Sequence, residues 1–235
     1  MPKAWNHIGL IGAMKEEVDL LLQQMDKERT IVRAGIDFAE GRIFGRRAVV
    51  VKSGVGKVNA AVCTQILIDA FAVDAIIFTG VAGALDPTLD IGDIVVSLDA
   101  MHHDMDATAL GFPRGTIPFH PASVFAADPA LVRIALESGR ELYRERIVTG
   151  RVLSGDQFVA DRETVRRLHE ELQGTCTEME GAAVAQVCAM NGIPFVIVRS
   201  MSDKADGSAH INFQQFTAWA SERSYRLIER MLQKL

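Results

Sequence analysis

Apolar residues in this chain gather in short unbroken runs, separated by longer stretches with helical spacing. His7–Met14 predicts a first strand, punctuated by Gly9 and Gly12. Lys15–Met25 predicts a helix with Val18, Leu21 and Leu22 on one face. Arg42–Ser53 contains Ala48-Val49-Val50-Val51, a β-branched run that predicts a buried strand. Lys57–Phe71 has helical spacing, Asp74–Gly80 carries the strand-like Ala75-Ile76-Ile77-Phe78, and Asp93–Asp99 carries Ile94-Val95-Val96. After a loop rich in Pro and Gly, helices are expected over Pro129–Tyr143, Asp161–Leu172 and Gly181–Asn191. Strands are expected over Ile147–Leu153 and Pro194–Ser200, and a last helix from about Phe213 to the C-terminus.

Strands that are apolar throughout, rather than alternating, belong to a sheet covered on both faces. Their alternation with helices predicts an α/β sandwich. At 235 residues without a Pro-, Ser- or Gly-rich linker, the chain reads as one domain. In such folds ligands bind at the carboxyl ends of strands, so the residues just after each strand are the place to look for chemistry.

Composition removes several function classes. The net charge is -5, and acidic and basic residues are mixed along the chain. No basic stripe exists for a phosphate backbone, which argues against nucleic acid as a partner. No stretch is long enough to span a bilayer. The apolar run at the N-terminus is too short for a signal peptide and runs into Lys15-Glu16-Glu17. Cys63, Cys176 and Cys188 form no C-x-x-C pair and read as reduced thiols, placing the chain in the cytoplasm.

The strand ends carry Gly12-Ala13-Met14-Lys15-Glu16-Glu17, Ser53-Gly54-Val55-Gly56-Lys57, Thr79-Gly80-Val81-Ala82-Gly83, Glu178-Met179-Glu180-Gly181 and Arg199-Ser200-Met201-Ser202-Asp203. Three acids, Glu17, Glu180 and Asp203, and the base Arg199 thus point to one edge of the sheet. Each also has a plain structural reading. Glu17 and Glu180 fit first-turn helix acids favoured by the macrodipole, Asp203 fits a turn cap, and Arg199 fits an ion-pair partner. Gly54-Val55-Gly56-Lys57 lacks phosphate-loop spacing, since Val58 stands where Ser or Thr would meet Mg²⁺. His102-His103-Asp104-Met105-Asp106 looks like a metal set, but neighbouring strand residues face opposite ways and no second ligand motif supports it. A hydrogen-bonding cluster is the better reading.

Taken in register, these segments resemble one family. Gly12-Ala13-Met14-x-Glu16-Glu17-Val18, Ser53-Gly54-Val55-Gly56-Lys57, Thr79-Gly80-x-Ala82-Gly83, Gly92-Asp93-Ile94-Val95, Ser154-Gly155-Asp156-x-Phe158, Glu178-Met179-Glu180 and Arg199-x-x-Ser202-Asp203 occur in order from about residue 7 to 216. The chain resembles the bacterial 5'-methylthioadenosine/S-adenosylhomocysteine nucleosidases, within the nucleoside phosphorylase/hydrolase superfamily. The resemblance implies a three-layer α/β/α sandwich around a central, mostly parallel, mixed sheet, a homodimer, a small nucleoside substrate, and no cofactor or metal. It implies Glu17 as the base that activates water and Asp203 as the acid that protonates adenine N7. Glu180, beside Met179, would accept the ribose hydroxyls. Phe158 would stack on adenine and the Val159 backbone would read its edge. Gly83 would lie along the substrate, Met14, Val55 and Phe213 would line the ribose and alkylthio pocket, and Arg199 would sit near Glu17 and the water. Leu110, Phe112 and Pro118 match positions through which a partner subunit completes that pocket.

The chemistry wants these residue types. Adenine leaves readily only when protonated, so an acid must sit over the purine edge, and an Asp there must be shifted above its ordinary pKa of about 3.9. Departure leaves a ribosyl cation like that of glycosidases, where one carboxyl serves as acid and another as base. A glutamate at a helix N-terminus is expected to stay ionised, which suits Glu180. Family members usually carry Ser where this chain has Val81 and an aromatic where it has Leu110. Val81 and the Glu17 carboxylate both disfavour a bound phosphate dianion. A phosphorylase of this fold, a nucleosidase for another adenine or hypoxanthine nucleoside, and a non-catalytic nucleoside-binding protein remain alternatives at this point.

Overall fold

The computed structural model describes residues 5–143, 146–205 and 209–235, without the side chains of residues 209–212 and 214. The apolar runs become strands β1 (His7–Gly12), β5 (Ala75–Ala84), β6 (Ile94–His102), β8 (Ile147–Ser154) and β10 (Phe195–Asp203). Every residue of β1, β5 and β10 is buried, as a sheet covered on both faces requires. Ile76, Ile77 and Phe78 are fully buried, and each contributes roughly 1.5–3 kcal/mol by leaving water.

The run over Arg42–Ser53 is not one strand. It contains the end of β3 (Ile36–Ile43), a turn at Phe44-Gly45, and β4 (Arg46–Lys52). Phe44 and Gly45 both have positive φ, at 50° and 81°, as a tight two-residue hairpin demands. Ala34-Gly35 makes the same turn between β2 (Asp26–Arg33) and β3. β7 (Val124–Ala126) and β9 (Gly174–Glu178) complete the strands.

The helices are α1 (Lys15–Gln24), α2 (Lys57–Phe71), α3 (Pro129–Tyr143), α4 (Arg162–Leu172), α5 (Gly181–Asn191) and α6 (Ala209–Lys234). Asp161 caps α4, accepting the Thr164 N–H at 2.8 Å. α2 packs against α5, while α1 and α3 pack against α6, so two helical groups cover the sheet. α5 opens with Gly181, Ala182 and Ala183, small residues that are all buried.

The sheet is mixed. β2, β3, β4, β1 and β5 lie side by side, and β10 runs parallel to β5. β10 also pairs with β6, β6 with β8, β8 with β9, and β9 returns to β5 at Gly83 and Ala84. Five strands therefore close on one another. β1 leaves the edge of β5 after Phe78, and β9 takes that edge at Gly83. The carboxyl ends of β1, β5, β9 and β10 converge there.

Candidate active site

A cleft opens where those strand ends meet, the usual place for a ligand in an α/β sheet. Met14, Glu17, Val55, Gly83, Phe158, Val159, Met179, Glu180, Asp203 and Phe213 all line it. Phe158 is half exposed and meets Phe213 edge-on, with ring centroids 5.6 Å apart. Val81, Ser202, Thr177 and Glu178 add to the wall.

Glu17 sits in the first turn of α1, yet it is not a solvated helix acid. Its side chain folds back under the strand ends and is 6% exposed. Oε2 accepts the N–H groups of Ala13 and Met14 at 2.6 and 2.9 Å, and Oε1 accepts the Val81 N–H at 3.0 Å. Gly80 makes this possible, since a Cβ there would overlap Glu17 Oε1 and lie 3.2 Å from Arg199 Nη1. Burial pushes the Glu17 carboxyl above the usual carboxylate range, opposed by the Arg199 charge and the three N–H donors.

Asp203 ends β10, just past a register shift between Met201 and Asp203, and is 2% exposed. Oδ2 accepts the Ser202 hydroxyl at 2.8 Å and Oδ1 accepts the Ala205 N–H at 2.7 Å. The turn-cap role and the cleft position thus coexist in one carboxyl. Gly83 keeps it close to β5, because a Cβ at that position would lie 2.8 Å from Asp203 Oδ1.

Arg199 lies behind the cleft wall rather than on it. Its guanidinium stacks on Phe78, 3.9 Å from the ring centroid, and Nη2 donates to Glu178 Oε2 at 2.6 Å. Its direct carboxylate partner is therefore Glu178, while Glu17 feels its charge without a hydrogen bond. Glu178 also accepts the Gly181 N–H at 2.8 Å and the Ser154 hydroxyl. Glu178 went unassigned from sequence, although a buried arginine demands a buried carboxylate nearby. That demand was the signal available.

Glu180 is the N-cap of α5 and accepts the Gly56 N–H at 2.7 Å. Burial works against the helix N-terminus here. Burial and the neighbouring Glu178 charge push its carboxyl up to about 8. The macrodipole offers at most ~2 kcal/mol, which does not offset desolvation of a buried charge.

Leu110, Phe112 and Pro118 do not line the cleft of their own chain. Leu110 is 72% exposed, in a short 3-10 turn over Thr108–Leu110, and Phe112 stacks edge-on against Phe119. His102 Nε2 meets Gln186 Oε1 at 3.0 Å. Among the described residues no group of three His, Cys, Asp or Glu side chains is arranged to hold a metal ion.

A family model for the phosphorylase superfamily matches residues 7–233. A 5'-methylthioadenosine/S-adenosylhomocysteine nucleosidase of Geobacillus thermodenitrificans is 42% identical, over 95% of this chain and 94% of the relative. The chain belongs to this nucleosidase family. Among solved structures, the family's Neisseria meningitidis nucleosidase in complex with methylthio-immucillin-A superposes with a TM-score of 0.94 at 37% identity, covering 98% of this chain and 100% of the other. The futalosine hydrolase of Helicobacter pylori superposes with a TM-score of 0.93 at 34% identity, covering 98% of each chain. The nucleosidase fold thus extends over essentially the whole molecule.

Proposed function

We propose that the cleft hydrolyses the N-glycosidic bond of 5'-methylthioadenosine and S-adenosylhomocysteine, releasing adenine and the 5-thioribose product. One observation carries this reading: two buried carboxyls, Glu17 in the first turn of α1 after β1 and Asp203 at the end of β10, enter the same cleft from opposite sides of β5. A binding protein has no use for that pair. Asp203, beside Gly83, gives a proton to adenine N7, so the C1'–N9 electrons leave with a neutral base. Glu17 takes a proton from water as its oxygen bonds C1'. Glu180, with Met179, receives the ribose hydroxyls, and a ligand that donates hydrogen bonds there draws it toward its ionised form. Phe158 stacks on the purine and the Val159 backbone reads its edge, while Met14, Val55 and Phe213 surround the ribose and alkylthio group. Arg199 steadies Glu17 electrostatically from behind.

Water rather than phosphate is the nucleophile. A phosphate dianion needs donors, and here it would meet the Glu17 carboxylate and the apolar Val81 side chain. Purified protein in phosphate-free buffer should release adenine from methylthioadenosine, followed by absorbance and product chromatography. No release at any pH from about 5 to 8 rejects the proposal. Strict dependence on added phosphate would make it a phosphorylase, and binding without cleavage a nucleoside-binding protein. Futalosine belongs in the same substrate panel, given the Helicobacter pylori structural neighbour.

The active unit is a homodimer working in the cytoplasm. Leu110 at 72% and Phe119 at 93% exposure leave apolar surface in one loop, a pattern that marks interaction sites. Leu110, Phe112 and Pro118 then close the alkylthio end of the partner's cleft. Light scattering should give twice the 25.7 kDa chain mass, and Phe119→Glu should shift the protein toward monomer with a raised KM. A monomeric wild type at micromolar concentration contradicts the dimer. The three cysteines are buried and unpaired, in keeping with a reducing compartment. No helix among the described residues is long and apolar enough to cross a membrane.

A further inference from the structure

Lys57, at the end of Gly54-Val55-Gly56-Lys57, and Asp104, in His102-His103-Asp104, have no part in the chemistry above, and their segments meet beside the cleft. Lys57 opens α2, and its ammonium donates to both oxygens of Asp104, at 2.7 and 2.6 Å. Asp104 Oδ2 also accepts the Asp156 N–H at 3.0 Å. Asp156 Oδ1 in turn accepts the Lys57 N–H at 2.9 Å, capping α2 from another loop, and its Oδ2 lies 3.9 Å from Lys57 Nζ. Three loops separated by 47, 52 and 99 residues are stapled into one unit. The Lys57 and Asp104 side chains are only 21% and 19% exposed, so salt screens them less than an open surface pair. His103 reinforces the junction, since its N–H donates to the Ser154 carbonyl at 2.9 Å.

None of the three stapled residues lines the cleft, but their chain neighbours do. Val55 lies two residues before Lys57, and the Gly56 N–H between them holds Glu180. Gln157, Phe158 and Val159 follow Asp156 directly and form one wall. Glu17 and Asp203 are held by other bonds, from Ala13, Met14, Val81, Ser202 and Ala205. The staple therefore controls the binding walls separately from the acid and base.

We propose that Lys57, Asp104 and Asp156 are positioning residues that hold the Gly56 N–H and the Phe158 loop in place for substrate. They act on affinity rather than on bond cleavage. This rests on the reading of Glu180 as the ribose acceptor and Phe158 as the purine platform.

The test is steady-state adenine release by Asp104→Asn, Lys57→Met and the double variant. Each single change should raise KM about tenfold, because a binding wall that is no longer preorganised must be ordered by the substrate itself. kcat should stay within about threefold, the pattern of lost ground-state binding. The double variant should be no worse than either single one, since both break one staple. Lys57→Arg should recover most of the affinity. Unchanged KM in a folded Asp104→Asn protein, or a fall in kcat without a change in KM, overturns the proposal. If that variant does not fold, Asp156→Asn decides, because its side chain is half exposed; KM should rise about threefold, and an unchanged KM rejects the staple. Glu180→Gln in the intact protein separates the two levels. An unchanged KM there defeats the reading of the site, whereas a raised KM there with unchanged KM in the staple variants defeats the staple alone.

Discussion

Asp203→Asn is expected to lower kcat for methylthioadenosine by about 10²–10⁴-fold, the usual contribution of a general acid, while leaving the fold intact. The amide can still accept the Ala205 N–H through its oxygen and donate to the Ser202 hydroxyl, both of which the carboxyl now engages. Substrate affinity should change little, because a proton delivered only in the transition state affects kcat rather than binding. A second substrate sharpens the test. In a nitrophenyl glycoside of the same 5-thio sugar, the leaving group departs as the stable nitrophenolate anion and needs no proton. Its hydrolysis should be nearly indifferent to Asp203→Asn. Equal losses on both substrates would mean that Asp203 is not the acid.

Glu17→Gln should be about as damaging to turnover, on the order of 10²–10⁴-fold, and it should damage both substrates alike, since each needs the water. It should also lower stability. Three N–H groups point at the two Glu17 oxygens, and an amide has one acceptor oxygen for them. At least one buried donor loses its partner, at about 1–3 kcal/mol, visible as a lower Tm. The pH dependence has a definite sign. The base works when ionised, and burial raises the Glu17 carboxyl above its ordinary value. The acid limb of kcat, which reports the complex in which substrate already engages Glu180, should therefore fall above the normal carboxylate range as pH drops, and that limb should disappear in Glu17→Gln. A wild-type profile flat down to the ordinary glutamate range would count against Glu17 as the base.

The buried strands were legible in sequence because apolar continuity is itself the sign of a two-sided environment. α2, α3 and α5 were legible to the residue, helped by punctuation such as Pro129 at a helix start and Gly192 just past a helix end. β2 was not. Asp26–Arg33 is charged and exposed apart from the half-buried Ile31, so nothing in its pattern separates it from a loop. Its pairing with β3 is visible only through the Ala34-Gly35 turn. In the site, the cleft positions of Glu17 and Asp203 could be found because one comes soon after a strand and the other stands at a strand's carboxyl end. Glu180's place could be read, but not the upward push on its carboxyl, because that comes from burial and from the Glu178 carboxylate, whose partner Arg199 lies on β10. Glu178 and the Lys57–Asp104–Asp156 staple join residues from distant segments, and no periodicity records such contacts.

The neighbourhood of β1, β5 and β10 has a stereochemical consequence. Adjacent strands lie about 4.8 Å apart, so the strands that present the two carboxyl-bearing segments run about 10 Å apart, with β5 between them. Glycosidases whose carboxyl groups stand far enough apart to admit a water between one of them and the sugar invert the anomeric centre. The freed sugar should accordingly emerge as the α-anomer before it mutarotates, which proton NMR of a fresh digest would register; a β-anomer would mean that the water arrives from the side the purine left.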